Sequence, residues 1–318
     1  MDDIEMDRDF ADELNAMACP LFSPTTEEVV ILRNFLKKKF SDRFAAEQLY
    51  HYTNCDVAQE FFKTGADLWC THYKYLNDSK EWCGGLELIS DYLRSQGRND
   101  IAEEVYSLPN KIGCLPWIVS FSMNCDKAAM WGMYCDRSKG GYAFGFNRLV
   151  LEELIEKKNK TSRDEYFLLP CIYDVDSVNM VLEHILNECH SEEDERLYRE
   201  GCEFELMPRI LSRVFFLSLI VKHQSFDYEN EWRLIVRKHD VVPLSDKGLR
   251  QLYSKGGKEK PHITSNLFEN PLREYFSQVM VSPCGDVDQN FNQIANTRDE
   301  YNLGSLSIER SRSPYNGR

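Results

Sequence analysis

Two glutamates two residues apart, Glu229 and Glu231 in Tyr228-Glu-Asn-Glu-Trp-Arg, are the pair in this chain best suited to acid–base or electrostatic chemistry. In an extended strand, residues two apart share a face, so both carboxylates and Arg233 point the same way. Carboxylates so placed raise each other's proton affinity unless a cation or hydroxyl donors lie between them, and Arg233 is a candidate cation. The plainer alternative is the solvated face of an edge strand. Ser120 and Ser122, in Val-Ser-Phe-Ser-Met, share a strand face in the same way, with Phe121 on the other. Two adjacent hydroxyls can orient a sugar or a carboxamide, or can simply sit on a strand edge. His51, in Leu-Tyr-His-Tyr-Thr, precedes a helix. Its imidazole is either presented at a cleft or satisfied by a backbone partner.

The elements that must position these groups are legible from periodicity. Thr25 and Glu28 form a capping box for an amphipathic helix with Val29, Leu32, Phe35 and Leu36 on one face. Residues 48–53 read as a strand, and residues 54–65 as a helix closed by Gly65. Residues 66–76 read as a second extended segment. Residues 77–82 turn into a helix over 84–97, and a short helix follows over 101–112. A strand over 116–123 leads to a helix that Asp126 caps, then a turn over 136–141 and the strand of 142–146. A helix over 147–160 and a strand over 169–175 come next, then helical patterns and an acidic run, 191–200, that reads as a solvated face. Residues 220–244 carry the clearest strand of the second half, with Val214–Val221 a strand-sized apolar piece. A loop at 254–260, a strand at 278–285, a helix over 286–299 and a last strand near 306–311 complete the chain. Helices and strands interleave without regular βαβ spacing, which predicts an α+β class. Residues 1–22 read as a flexible acidic arm and 23–318 as a single domain.

Composition excludes several classes of function. Of 318 residues 42% are hydrophobic, enough for a substantial core. No apolar run approaches the roughly 18 residues of a membrane helix, and the acidic start lacks a signal-peptide core. Eleven scattered cysteines without a CxxC pair point to reduced thiols in a cytoplasm, not to zinc or a disulfide framework. A net charge of −14 argues against general nucleic-acid binding but leaves room for a small basic pocket.

The order His51, then Ser120-Phe-Ser122, then Glu229-Asn-Glu231 resembles the ADP-ribosyltransferase fold. There the first strand carries an Arg or His that touches NAD, a second carries a Ser-Thr-Ser motif, and a later strand carries the catalytic Glu. Phe121 departs from the usual Thr, and His51 belongs with a different subgroup from Glu-x-Glu, which leaves the acceptor open. The pieces Leu-Tyr-His-Tyr-Thr, Leu76-Asn-Asp with Glu81, Ile-Val-Ser-Phe-Ser, Met-Trp-Gly-Met-Tyr, Tyr228-Glu-Asn-Glu-Trp-Arg and Arg-Ser-Pro-Tyr also resemble the microbial family labelled domain of unknown function 2971, from Leu49 to Tyr315. That resemblance puts Asn77, Asp78, Glu81, Trp131, Tyr134, Glu229, Glu231 and Arg233 at motif positions.

The transferase resemblance implies an α+β core of split central sheets with surrounding helices, NAD as co-substrate, no metal, and an acceptor of unknown kind. It implies that Glu231 stabilises the ribosyl oxocarbenium-like state and that Glu229 orients or deprotonates the nucleophile. His51 would hold a ribose or phosphate, with Ser120 and Ser122 shaping the nicotinamide pocket. Tyr52, Tyr73 or Tyr75 would stack on nicotinamide, and Arg137 and Lys139 would meet the pyrophosphate. Three alternatives stand beside this. One is a nucleotide-binding or protein-interaction module without catalysis. Another is a metal-dependent nuclease using His51, Asp78, Glu81 and the Glu pair. The last is a purely structural protein.

Overall fold

The computed structural model describes residues 26–76, 82–111, 116–187, 196, 203–238 and 260–315. Helix α1 (Thr26–Lys39) buries Val29, Leu32 and Leu36. Its capping Thr25 lies outside the described residues. A one-turn helix α2 (Ser41–Phe44) leads into strand β1 (Gln48–Asn54). The next helix, α3 (Cys55–Glu60), is capped by the Asn54 side chain on the Val57 amide. It stops five residues short of Gly65, because Phe61 and Phe62 turn into the core. Strand β2 (Trp69–His72) and a 3-10 turn (Tyr73–Tyr75) follow.

Helices α4 (Cys83–Ser95) and α5 (Asn99–Lys111) pack on each other. Strand β3 (Pro116–Ser122) leads to helix α6 (Ala128–Tyr134). Asp126 does not cap that helix; it accepts hydrogen bonds from Trp131 Nε1, Ser311 Oγ and the Arg312 amide instead. Then come β4 (Gly141–Asn147), α7 (Arg148–Thr161), β5 (Glu165–Pro170), α8 (Val175–Asn187) and α9 (Glu203–Ile220). Val214–Val221, read as strand-sized, lies almost entirely within α9. Packed against α4, α5 and α8, the helix is apolar on all sides there and carries no 3.6-residue contrast. A 3-10 turn (Gln224–Glu229), β6 (Glu231–Arg237), β7 (His262–Thr264), β8 (Phe276–Val281), α10 (Val287–Glu300) and β9 (Ser307–Arg310) complete the order. The loop of 254–259 and the acidic run, Arg196 apart, lie outside the described residues.

The strands run β5-β6-β3-β1-β4-β8-β9, antiparallel except for β8 with β9. This is an α+β arrangement, and the nine described strands form one sheet in place of the split central sheets expected. Strand β6 is interior, paired on one edge with β5 and on the other with the whole of β3. All seven of its residues are buried, so the edge-strand alternative for the glutamate segment does not hold. The other edge of β3 is shared. Trp117 and Ile118 pair with β2, whereas Ser122 pairs with Tyr50 of β1. Between these positions the sheet forks, since Val119, Ser120 and Phe121 have no register partner in β1 or β2.

Candidate functional site

A cavity of about 150 Å³ occupies this fork. Register shows why these side chains meet there. Ser122 faces Glu231 and Tyr50, Ser120 faces Arg233, and Ile118 faces Thr71. Alternation therefore sets Trp69, Thr71, Ser120, Ser122, Tyr50, Tyr52, Glu231 and Arg233 on one face of the sheet. His51 and Phe121 belong to the opposite face. His51 still borders the cavity, because its ring sits in the fork with Nδ1 3.0 Å from the Ser120 carbonyl oxygen. A carbonyl only accepts, so Nδ1 carries the proton. Burial lowers the pKa of His51, which leaves the ring neutral at pH 7 with Nε2 as an acceptor. The backbone partner foreseen as the plainer alternative is present, and the ring lines the cavity as well.

The floor is a network of four buried charges. Glu231 accepts from Ser120 Oγ at 2.5 Å and Arg233 Nε at 3.1 Å on Oε1, and from Lys222 Nζ at 2.7 Å and Arg233 Nη2 at 3.2 Å on Oε2. A carboxylate offers about four lone-pair sites, so this one is filled. Burial works against its charge, but Arg233 and Lys222 outweigh that and hold the carboxyl down at about 2. Glu229 is different. Its Oε2 accepts from Lys222 Nζ at 2.6 Å, while its buried Oε1 has no partner. Burial raises the Glu229 pKa, with Glu231 adding to the rise and Lys222 opposing it. Lys222 itself is held above its ordinary value despite burial, chiefly by Glu231.

The two glutamates do not reach the floor by strand alternation, as the sequence suggested. Glu229 ends the 3-10 turn, and Asn230 takes the left-handed conformation (φ 43°) before β6 begins. Lys222, which sequence reading missed, is delivered by the end of α9. Beyond Pro170 the chain leaves β5, and Ile172 bridges to Val221, its carbonyl accepting from the Lys222 amide at 2.9 Å. The strand foreseen over 169–175 thus lies earlier, at Glu165–Pro170. The segment after it instead holds the Glu231 backbone, with Tyr173 Oη accepting from the Glu231 amide at 2.7 Å and the Glu231 carbonyl accepting from the Cys171 amide. The only sequence signal for Lys222 is a lone cation closing a long apolar run.

Ser122 directs its hydroxyl to the Glu229 carbonyl at 2.6 Å, so it fixes the turn. Tyr52 lines the cavity but is tied, its hydroxyl to the Asn124 carbonyl at 2.7 Å and its ring edge-on to Trp131. Tyr75 lines the mouth. Tyr73 does not; it is buried edge-on against Trp82. Arg137 and Lys139 sit in an exposed turn at the far end of β1, where Lys139 pairs with Asp56, and neither borders the cavity. The cations that do are Lys222 and Lys260. Among the described residues no three His, Cys, Asp or Glu side chains gather as metal ligands. Asn77, Asp78 and Glu81 lie outside them. No helix among the described residues is long and apolar enough to cross a membrane.

A family model described as a protein of unknown function (DUF2971) matches residues 130–234, and that stretch resembles the family. It spans α6 to β6, so it contains Trp131, Tyr134, Lys222, Glu229, Glu231 and Arg233 but neither His51 nor the two serines. No curated protein and no solved structure matches the chain.

Proposed function

We propose that the fork cavity binds a nicotinamide dinucleotide and cleaves its nicotinamide–ribose bond, as an ADP-ribosyltransferase or NAD glycohydrolase. In this reading the C–N bond breaks with its electron pair leaving on nicotinamide. The ribosyl carbon takes up an acceptor oxygen or nitrogen, or water, and the acceptor's proton passes to Glu229. The developing positive charge is oxocarbenium-like, and a buried carboxylate beside it stabilises the transition state more than the ground state. The observation that carries the reading is the buried, unpartnered Oε1 of Glu229, a residue that is 1% exposed, lines the cavity and pairs with Lys222 through its other oxygen.

Roles follow from the contacts. Glu229, not Glu231, is the carboxylate with a free acceptor, so the oxocarbenium role assigned to Glu231 from sequence passes to its neighbour. Glu231 becomes the hub that holds Lys222, Arg233 and Ser120. The neutral His51 offers Nε2 to a ribose hydroxyl, and Tyr52 and Tyr75 wall the ring pocket. Lys260, in place of Arg137 and Lys139, meets the pyrophosphate.

The saturated Glu231 also favours a second reading, a nucleotide-binding module without catalysis, because a fully paired carboxylate is a structural device. Incubation with NAD, with cell lysate supplied as acceptor and products separated by chromatography, decides between them. Release of nicotinamide supports the transferase reading. Retention of intact NAD on the protein with no release supports the binding module.

A further inference from the structure

Trp69 stands apart from the other tryptophans of the chain. Trp82, Trp117, Trp131 and Trp232 are each 1% exposed or less, whereas Trp69 is 45% exposed and borders the fork cavity. Its ring is not loose. Trp69 pairs with Thr264 across β2 and β7, which sets His262 diagonal to it on the same face. The imidazole stacks on the indole with centroids 4.2 Å apart and planes 16° from parallel. His262 Nδ1 donates to the Lys260 carbonyl at 3.1 Å, which ties this stacked pair to the backbone of the cavity's outer cation. One face of the indole is thus covered and its plane fixed, while the remainder is open to the cavity mouth. A preorganised exposed aromatic beside a lysine is costly to keep in water and suits a flat ring joined to an anion.

We infer that Trp69, backed by His262, is the stacking platform for the second base of the nucleotide, and that Lys260 holds the phosphates between that base and the ribose at Glu229. The inference rests on the cavity being the nucleotide site proposed above, and it names the substrate class as a base-bearing phosphate ester with aromatic groups at both ends. The fork cavity supplies too little volume for a whole dinucleotide, so one end must lie on the mouth.

The probe is ADP-ribose, which carries adenine and both phosphates but no nicotinamide. Because the other four tryptophans are buried, its binding is expected to quench and protect the Trp69 emission from iodide. Trp69→Ala, a change at an exposed position, is expected to weaken ADP-ribose binding measured by calorimetry about 5- to 150-fold. Trp69→Phe should restore part of the loss. Adenosine should depend on Trp69 and not on Lys260; inorganic pyrophosphate should depend on Lys260→Ala and on salt. Unchanged affinity in Trp69→Ala, or no ADP-ribose binding by the wild type, overturns the inference. Nicotinamide release alongside an unchanged Trp69→Ala affinity sinks the platform and leaves the reaction standing. Binding through Trp69 without any release does the reverse.

Discussion

At the residue scale, Lys222 and Glu229 differ in their contacts on the floor: Lys222 donates to two carboxylates, whereas one buried oxygen of Glu229 has no partner. Lys222 joins two carboxylates at 2.6 and 2.7 Å with almost no solvent access. Removing one member of such a buried set leaves uncompensated charge, so Lys222→Met is expected to destabilise by about 3–5 kcal/mol in urea titration. Lys139→Met, which breaks only the exposed pair with Asp56, is expected to leave the urea midpoint in place. The site was only partly legible in the sequence. Spacing singles out Ser120, Ser122, Glu229 and Glu231, and an aromatic-flanked place on a strand before a helix singles out His51; all five border one cavity. Lys222 was not chosen, because a single lysine has no spacing to read and its meaning depends on where α9 ends. Strand spacing also misleads on Glu229, which reaches the floor from a turn, and Arg137 and Tyr73 do not border the cavity although Tyr134 and Tyr75, near them in sequence, do.

At the element scale, the junction between the 3-10 turn and β6 decides which carboxylate keeps a free oxygen. Asn230 holds a left-handed backbone, its amide donating to the Asp227 carbonyl and its carbonyl accepting from the Met123 amide. Asn and Gly tolerate that conformation, and a β-branched residue does not. Asn230→Gly is therefore expected to keep both stability and turnover. Asn230→Val is expected to cost about 1–2 kcal/mol and to lower turnover by displacing Glu229, checked by melting and by nicotinamide release on the same samples. Most elements were readable from periodicity, including β1, β3, α7, β8 and α10. At the end of α9, where packing surrounds the helix, the polar–apolar contrast that marks element type is absent. In β6 the alternation of Glu231, Trp232 and Arg233 is present and marks a strand, but its polar members pair with each other in the interior instead of facing water, so it misleads about the edge. Asp126 has the place of a helix cap but serves Trp131 and, across 185 residues of sequence, Ser311, a contact that leaves no local trace.

At the scale of the whole molecule, the buried network couples folding to pH. Glu231 is depressed from 4.5 to about 2, so the stability it contributes is present above its unfolded value and is lost as pH falls from about 4.5 toward 2. Glu229 is raised, so its contribution runs the other way, falling as pH rises from 4.5 to its folded value. Lys222 is raised, and its contribution is present below 10.5 and lost only at more alkaline pH. Urea midpoints should therefore drop steeply between pH 4.5 and 2.5, and the Glu231→Gln protein, although less stable at neutral pH, should show a shallower drop. In the proposed reaction the unpartnered oxygen of Glu229 does the chemistry, on a floor that Glu231 holds. The rate of nicotinamide release from NAD by Glu229→Gln, measured on protein whose melting confirms that it is folded, tests this most directly. A loss of about 100-fold or more relative to wild type is expected. Release at the wild-type rate by folded Glu229→Gln would contradict it.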